Sequence, residues 1–181
     1  MTAIHAQLPG DHMAVDLIGK LPITSNGNVR ILVLVDICNR FVFLAPLKDK
    51  SAQTVAKTLF NIFTIIGFPR ILQSDNGKEF VNEALREMTK LMGTQHRLCT
   101  PYHPRGNGVA ENHVKATMEL IRKKIKGQKH EWDTHVPMTQ LALNTRVVAL
   151  HNYSPFSLFF ARRFNGFHQI YDGDCIPCYQ S

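Results

Sequence analysis

The chain has 181 residues, 44% of them hydrophobic, and a formal net charge of +7. That length predicts one domain with room for a proper core, and the basic balance points to an anionic partner, most commonly nucleic acid. No apolar run approaches a membrane span, and MTAIHAQLPGDHM lacks the charged and apolar regions of a signal peptide, so neither a membrane nor a secreted class is expected.

In chain order, residues 1–11 are polar, carry a Pro-Gly and are expected to fray. HMAVDLIG (12–19) reads as a strand, and Asn26-Gly27 as a hairpin turn. VRILVLVDI (29–37) is a near-continuous apolar run, the signature of a strand buried on both faces. Cys38-Asn39-Arg40 turn the chain into FVFLAPL, a third strand, and the three together predict an antiparallel meander. Ser51 then reads as an N-cap, with Val55, Leu59, Ile62, Phe63 and Ile66 at helical spacing and Gly67 and Pro69 as the stop. RILQS (70–74) is a short strand, Asn82 caps a helix through Met92, and 94–100 form another short strand. A loop rich in Pro and Gly leads to a helix over Val109–Lys126. A last helix is expected over 131–149, with a break or start near Pro137, and SPFSLFF (154–160) is apolar enough to pack against the body. Three strands, then helix, strand, helix, strand and helices make a mixed α/β domain with helices covering a sheet.

The cysteines Cys38, Cys99, Cys175 and Cys178 read as scattered reduced thiols of a reducing compartment. Cys175 and Cys178 form a single CxxC, which without a second pair of ligands favours chance spacing over zinc. Neither His5 nor His12 has a cysteine partner nearby.

Three acids stand out by position. Asp16 interrupts the apolar first strand, an expensive place for a carboxylate unless it is paired or binds a metal. Asp75 ends the fourth strand in QSDNGKEF, at the sheet edge where α/β domains place ligand groups. Glu111 opens a helix after a Gly-rich loop. On that helix Val114, Met118, Ile121 and Ile125 make one stripe expected to face the core, with Glu111 at its border. Lys115, Arg122 and Lys126 lie within about 60° of Glu111. Such a face would accept a metal at one end and phosphates along the rest; the plainer reading is a helix-opening Glu above a solvated basic surface. Asp36 is read as an acid pairing with Arg40 or capping the Asn39 turn. Converging carboxylates suit two-metal phosphoryl transfer, and without metal at least one should have a raised pKa.

AVDLIGKLP, SDNGKEF, TPYHPRGNGVAENHVK and NTRVVALHNYSPFSLFFARR together resemble the catalytic core of retroviral and gypsy-type retrotransposon integrases, and 35 residues lie between Asp75 and Glu111, the spacing of that family's acidic signature. The likeness runs from about residue 10 to about 163. It implies a ribonuclease-H-like α/β fold, a mixed five-stranded sheet flanked by helices, with the catalytic core over 12–161 between an N-terminal tail (1–11) and a C-terminal tail (162–181). It implies that Asp16, Asp75 and Glu111 bind two Mg²⁺ or Mn²⁺ ions and transfer polynucleotide strands: DNA end processing, then attack of the new 3′-hydroxyl on target DNA. It further implies that Asn76 and Gly77 shape the turn presenting Asp75. Tyr102, His103, Gly106, Asn107 and Gly108 resemble the active-site loop, and Lys115 a position that touches element-end DNA. For His103 the plainer reading is a structural residue before Pro104.

Partners implied are element and target DNA, with RNA as a lesser alternative, and a homodimer or higher assembly. The implied place of action is the nucleus, or cytoplasmic particles. Trp132, Leu141 and Leu143 offer a dimer face or, equally, packing within the monomer. The chain departs from the family in having Asn112 where many relatives have Arg and Ala161 where glycine is usual. It also lacks the flanking zinc-binding and DNA-binding modules, so a fragment, a degenerate copy or a standalone gene is expected. Two rival functions follow: a domesticated, inactive nucleic-acid-binding module, and a ribonuclease-H nuclease whose fourth acid would be Asp133.

Overall fold

The computed structural model describes residues 8–99, 108–125 and 130–165. A five-stranded sheet has the order β3-β2-β1-β4-β5. Its strands are β1 (His12–Ile18), β2 (Arg30–Asp36), β3 (Val42–Leu47), β4 (Ile71–Ser74) and β5 (Gln95–Leu98). β1, β2 and β3 pair antiparallel, and β4 and β5 are added parallel to β1. The fold is the mixed sheet expected, of the ribonuclease-H-like class.

Helices α1 (Ala52–Ile66) and α2 (Glu83–Leu91) make the two crossovers that parallel pairing requires. Their starts are those read from the sequence: Ser51 Oγ accepts from the Thr54 N–H, and Asn82 Oδ1 from the Leu85 N–H. α1 ends at Gly67, which adopts φ 90°, a conformation that costs glycine little.

Strand alternation divides the core. Met13, Val15, Leu32, Leu34 and Leu72 pack with Val55, Leu59 and Phe63 of α1 and with Leu85 of α2. Ile18, Ile31, Val33, Val35, Val42 and Leu44 face the other way, onto Ile121, Trp132, Val136 and Leu143. β2 therefore contributes to both faces, which is why its sequence is apolar without alternation. The second layer holds α3 (Gly108–Ile125), a 3₁₀ turn (Trp132–His135), α4 (Val136–Thr145) and the short α5 (Pro155–Phe160).

Several expectations change. The single helix over 131–149 is instead a 3₁₀ turn followed by a helix ending at Thr145. The start expected near Pro137 is found: the proline sits in the first turn of α4, where a missing N–H costs nothing. Residues 8–11 are tied down rather than frayed: the Asp11 carbonyl accepts from Ile71 N–H, and its carboxylate pairs with Arg70 at 2.9 Å. Gly108 is the first residue of α3 rather than part of a loop. Trp132 and Leu143 are buried within this chain, so neither supplies a dimer face; Leu141 is half-buried. SPFSLFF packs as expected, with Phe159 stacked on Phe41 at 4.6 Å between ring centroids.

An edge strand exposes unpaired backbone groups that invite pairing with another chain. α4 closes the β3 edge with side-chain amides. Asn144 accepts from Val42 N–H and donates to Val42 C=O, each at 2.8 Å, and Gln140 accepts from Leu44 N–H at 2.7 Å. Asn144 is 2% exposed, so no water replaces it. Asn144→Leu, similar in volume, is expected to cost about 2–4 kcal/mol by leaving both Val42 groups unpaired. A lower urea midpoint with an unchanged denaturant slope would show it; an unchanged midpoint would refute it.

Candidate active site

Asp16 takes its position from strand alternation. It shares a face of β1 with Ala14 and Ile18, the face that α3 covers, and its partner across β2 is Val33, which is fully buried. In the parallel register of β1 and β4, Ala14 lies beside Gln73. Two residues further along, Asp16 comes level with Asp75, one residue beyond the end of β4. Neighbouring strands lie about 4.8 Å apart, so the two carboxylates are drawn to one end of the sheet.

The turn after β4 fixes Asp75. Its Oδ1 accepts from Gly77 N–H at 2.9 Å, and the Gly77 carbonyl accepts from Phe80 and Val81 N–H, each at 2.9 Å, leading the chain toward Asn82 and α2. Asn76 Nδ2 donates to the Cys99 carbonyl at 3.2 Å, tying the turn to the end of β5. No hairpin forms, and neither Asn76 nor Gly77 adopts a positive φ. Glycine at 77 leaves room for the Glu79 carboxylate beside Asp75. A Cβ there would lie 3.0 Å from Asp75 Oδ1 and 2.9 Å from Glu79 Cδ.

Glu111 lies in the first turn of α3, where the helix dipole favours an anion. The buried line of this helix is Ala110, Thr117 and Ile121, each at most 1% exposed, with Val114 and Met118 only partly covered. The expected stripe was set by the large apolar residues; the small side chains of Ala110 and Thr117 settle deeper. Glu111 is thereby turned about 90° from the core line and is exposed rather than at the border of the buried stripe. Lys115 and Arg122 are exposed on the same side and line a groove of about 500 Å³ with Val114, Met118, Glu119 and Lys123.

The acids act on one another. Burial pushes the Asp16 carboxyl up to about 6; the Leu17 N–H bond opposes this, and the charges of Asp75, Glu111 and Glu79 add to it. A site that raises a carboxyl by burial, with acids around it adding to the effect, is one that a hard cation would relieve. Asp16, Asp75 and Glu111 are oxygen donors of the right kind for Mg²⁺ or Mn²⁺. Among the described residues, however, no three acidic, His or Cys side chains close to the distance at which they would hold a metal. Glu79 went unnoticed in the sequence, where it reads as an ordinary helix-approach residue; the DNG-x-E spacing was its only signal.

Other candidates find other work. Asp36 is fully buried and caps its turn, accepting from Cys38 N–H at 2.7 Å and also from Gly10 N–H. Asp133 Oδ2 accepts from Thr24 Oγ1, Asn26 Nδ2 and Asn28 Nδ2, within 3.0 Å each. Burial works to raise its pKa, but these donors outweigh burial and lower it. Asp133 thus clamps the β1–β2 connection, and the acid that joins Asp75 and Glu111 in acting on Asp16 is Glu79. Tyr102, His103, Gly106, Asn107, Lys126, Cys175 and Cys178 lie outside the described residues.

A family model described as "Integrase core domain" matches residues 6–104. The chain belongs to that family. It is 36% identical over 152 residues to the Pro-Pol polyprotein of Simian foamy virus type 3 (strain LK3), covering 84% of this chain and 13% of the polyprotein. It is 31% identical over 167 residues to the retrovirus-related Pol polyprotein from transposon 412 of Drosophila melanogaster, covering 88% of this chain and 14% of that one. The chain therefore spans about an eighth of the length of the polyproteins it matches. Its fold is that of the HTLV-2 integrase catalytic core domain, solved in complex with magnesium, with a TM-score of 0.71 at 15% identity over 84% of this chain and 98% of that one.

Because the folded Asp16 holds its proton more tightly than an unfolded aspartate, its ionisation costs metal-free stability as pH rises from about 4 through about 6. Asp16→Asn keeps the oxygen that accepts Leu17 N–H. It is expected to raise metal-free stability at about pH 7.5 by roughly 1–2 kcal/mol after solvent screening. Mg²⁺ should raise the melting temperature of the native protein and leave that of the variant unchanged; equal responses would separate Asp16 from metal binding.

Proposed function

We propose that the chain is a metal-dependent polynucleotidyl transferase core that joins element DNA to target DNA. The observation that carries this reading is the convergence of Asp75 and Glu111 on the half-buried Asp16, whose carboxyl their charges help to raise, from β1, the β4 end and α3 of an integrase-family fold. Asp16, Asp75 and Glu111 would hold two Mg²⁺ or Mn²⁺ ions. When bound, such a pair activates the attacking oxygen and stabilises the leaving one in an in-line displacement.

The chain's own residues orient and bind. The Gly77 N–H fixes the Asp75 carboxylate, and the β1–β4 register fixes Asp16 beside it. Lys115 and Arg122 present positive charge one to three turns beyond Glu111, suited to DNA phosphates approaching the acids. The site is open at the Glu111 side, where exposure lets a strand of DNA enter. The attacking group is water in end processing and a DNA 3′-hydroxyl in strand transfer, so one site serves both reactions. We place the chain with DNA in the nucleus, before which it would travel in cytoplasmic particles, and acting as a homodimer or higher assembly.

A branched DNA substrate that mimics the strand-transfer product tests the chemistry with the fewest demands on flanking domains. With Mn²⁺ the protein is expected to reverse the joining, and Asp75→Asn to reduce the rate by at least about a hundredfold. Equal background from both would leave the second reading, a nucleic-acid-binding module with relic acids. Lys115→Ala should weaken DNA binding and flatten its salt dependence in either case.

A further inference from the structure

Glu79 folds back over Gly77. Its carboxylate occupies the space that a side chain at 77 would need, beside Asp75 Oδ1. Although charged, its side chain is only 17% exposed. Its one ion pair among the described residues is with Lys50, Nζ to Oε2 at 3.8 Å, longer than the 2.7–2.9 Å of a charge-assisted hydrogen bond. Lys50 lies just before the α1 N-cap, Ser51. The backbone there is fixed, since Asp49 Oδ1 accepts from Ser51 N–H at 2.7 Å and Ser51 Oγ from Thr54 N–H at 3.2 Å. The Lys50 side chain is nevertheless 57% exposed, free to leave its partner.

We propose that Lys50 is a resident counter-cation of the acidic site, docked beside the Asp75 turn by Glu79, and that it yields when a divalent cation arrives. The proposal rests on the metal-binding reading above. Three acids that press on one carboxyl need positive charge nearby while the metal is away, and a loosely held, solvent-facing ammonium supplies it without coordinating anything. Glu79 is a positioning residue in this arrangement. It seats Lys50 at the site and adds negative potential behind Asp75. Gly77 is the condition for both, because any side chain at 77 would displace the Glu79 carboxylate. The Asp16 carboxyl feels the Glu79 charge along with those of Asp75 and Glu111, which places Glu79 within electrostatic reach of Asp16.

The two members of the pair then have opposite effects on the site. Lys50 repels an incoming cation, and Glu79 attracts it. Mn²⁺ dissociation constants, measured on the full chain at low ionic strength by electron paramagnetic resonance, test this. Lys50→Met is expected to tighten Mn²⁺ binding about fivefold, Glu79→Gln to weaken it by a similar factor, and Lys50→Arg to stay near the native value. Both effects should shrink as salt is added. A merely structural ion pair would give shifts of the same sign, since either loss would loosen the turn. Shifts of the same sign, or Lys50→Met within twofold of the native protein, would overturn the proposal while Asp75→Asn still abolished binding. Asp75→Asn binding Mn²⁺ as well as the native chain would instead remove the metal reading itself, and this proposal with it.

Discussion

One carboxylate in the wrong place organises this molecule. Asp16 lies mid-strand in a sheet covered on both faces, opposite a fully buried valine. Burying a charge there is costly unless something compensates. Beyond the single Leu17 N–H, the fold surrounds it with further acids, so that burial and like charge push in the same direction. A protein selected only for stability would place an apolar residue at this position. The surrounding elements make sense as the means of holding an unfavourable charge cluster in a fixed geometry: the α1 crossover brings β4 alongside β1, and α3 packs across β1 and β2.

The remainder of the second layer keeps that geometry in place. The β1–β2 connection is bound to the 3₁₀ turn through Asp133 and through Trp132 Nε1, which donates to the Pro22 carbonyl at 2.7 Å. The far sheet edge is closed by Asn144 and Gln140. Both devices use polar side chains buried against backbone groups, and such fully satisfied contacts define register as much as stability. They lie away from the acids, so the site itself is free to remain strained in charge.

Much of this was legible in the sequence, and for physical reasons. The five strands follow from apolar runs bounded by turn residues. α1 and α2 follow from Ser51, Asn82 and the glycines after them, because caps are local chemistry. Asp16 and Asp75 were visible because an acid in an apolar strand and an acid at a strand end are both exceptions to local rules. What failed was long-range. The depth of α3 depends on how closely small residues approach the sheet, so Ala110 and Thr117, not the larger Met118, set its rotation and leave Glu111 exposed. Asp133, Trp132 and Asn144 make contacts with residues about a hundred positions away, and no spacing rule points to such partners.

The Asn76-Gly77 pair shows how a motif can be right for a reason other than the obvious one. Its composition is that of a tight hairpin turn with positive φ, yet the backbone needs no positive φ and no hairpin is made. Asparagine serves as a side-chain strut to the β5 end, and glycine as an empty volume into which the Glu79 carboxylate folds. The same two residues that suggest a turn therefore admit a fourth acid to the site, and the Lys50 ammonium with it. A side chain at 77, whatever the turn's dihedrals, would push the Glu79 carboxylate aside, so the glycine belongs to the electrostatics of the site rather than to the path of its backbone.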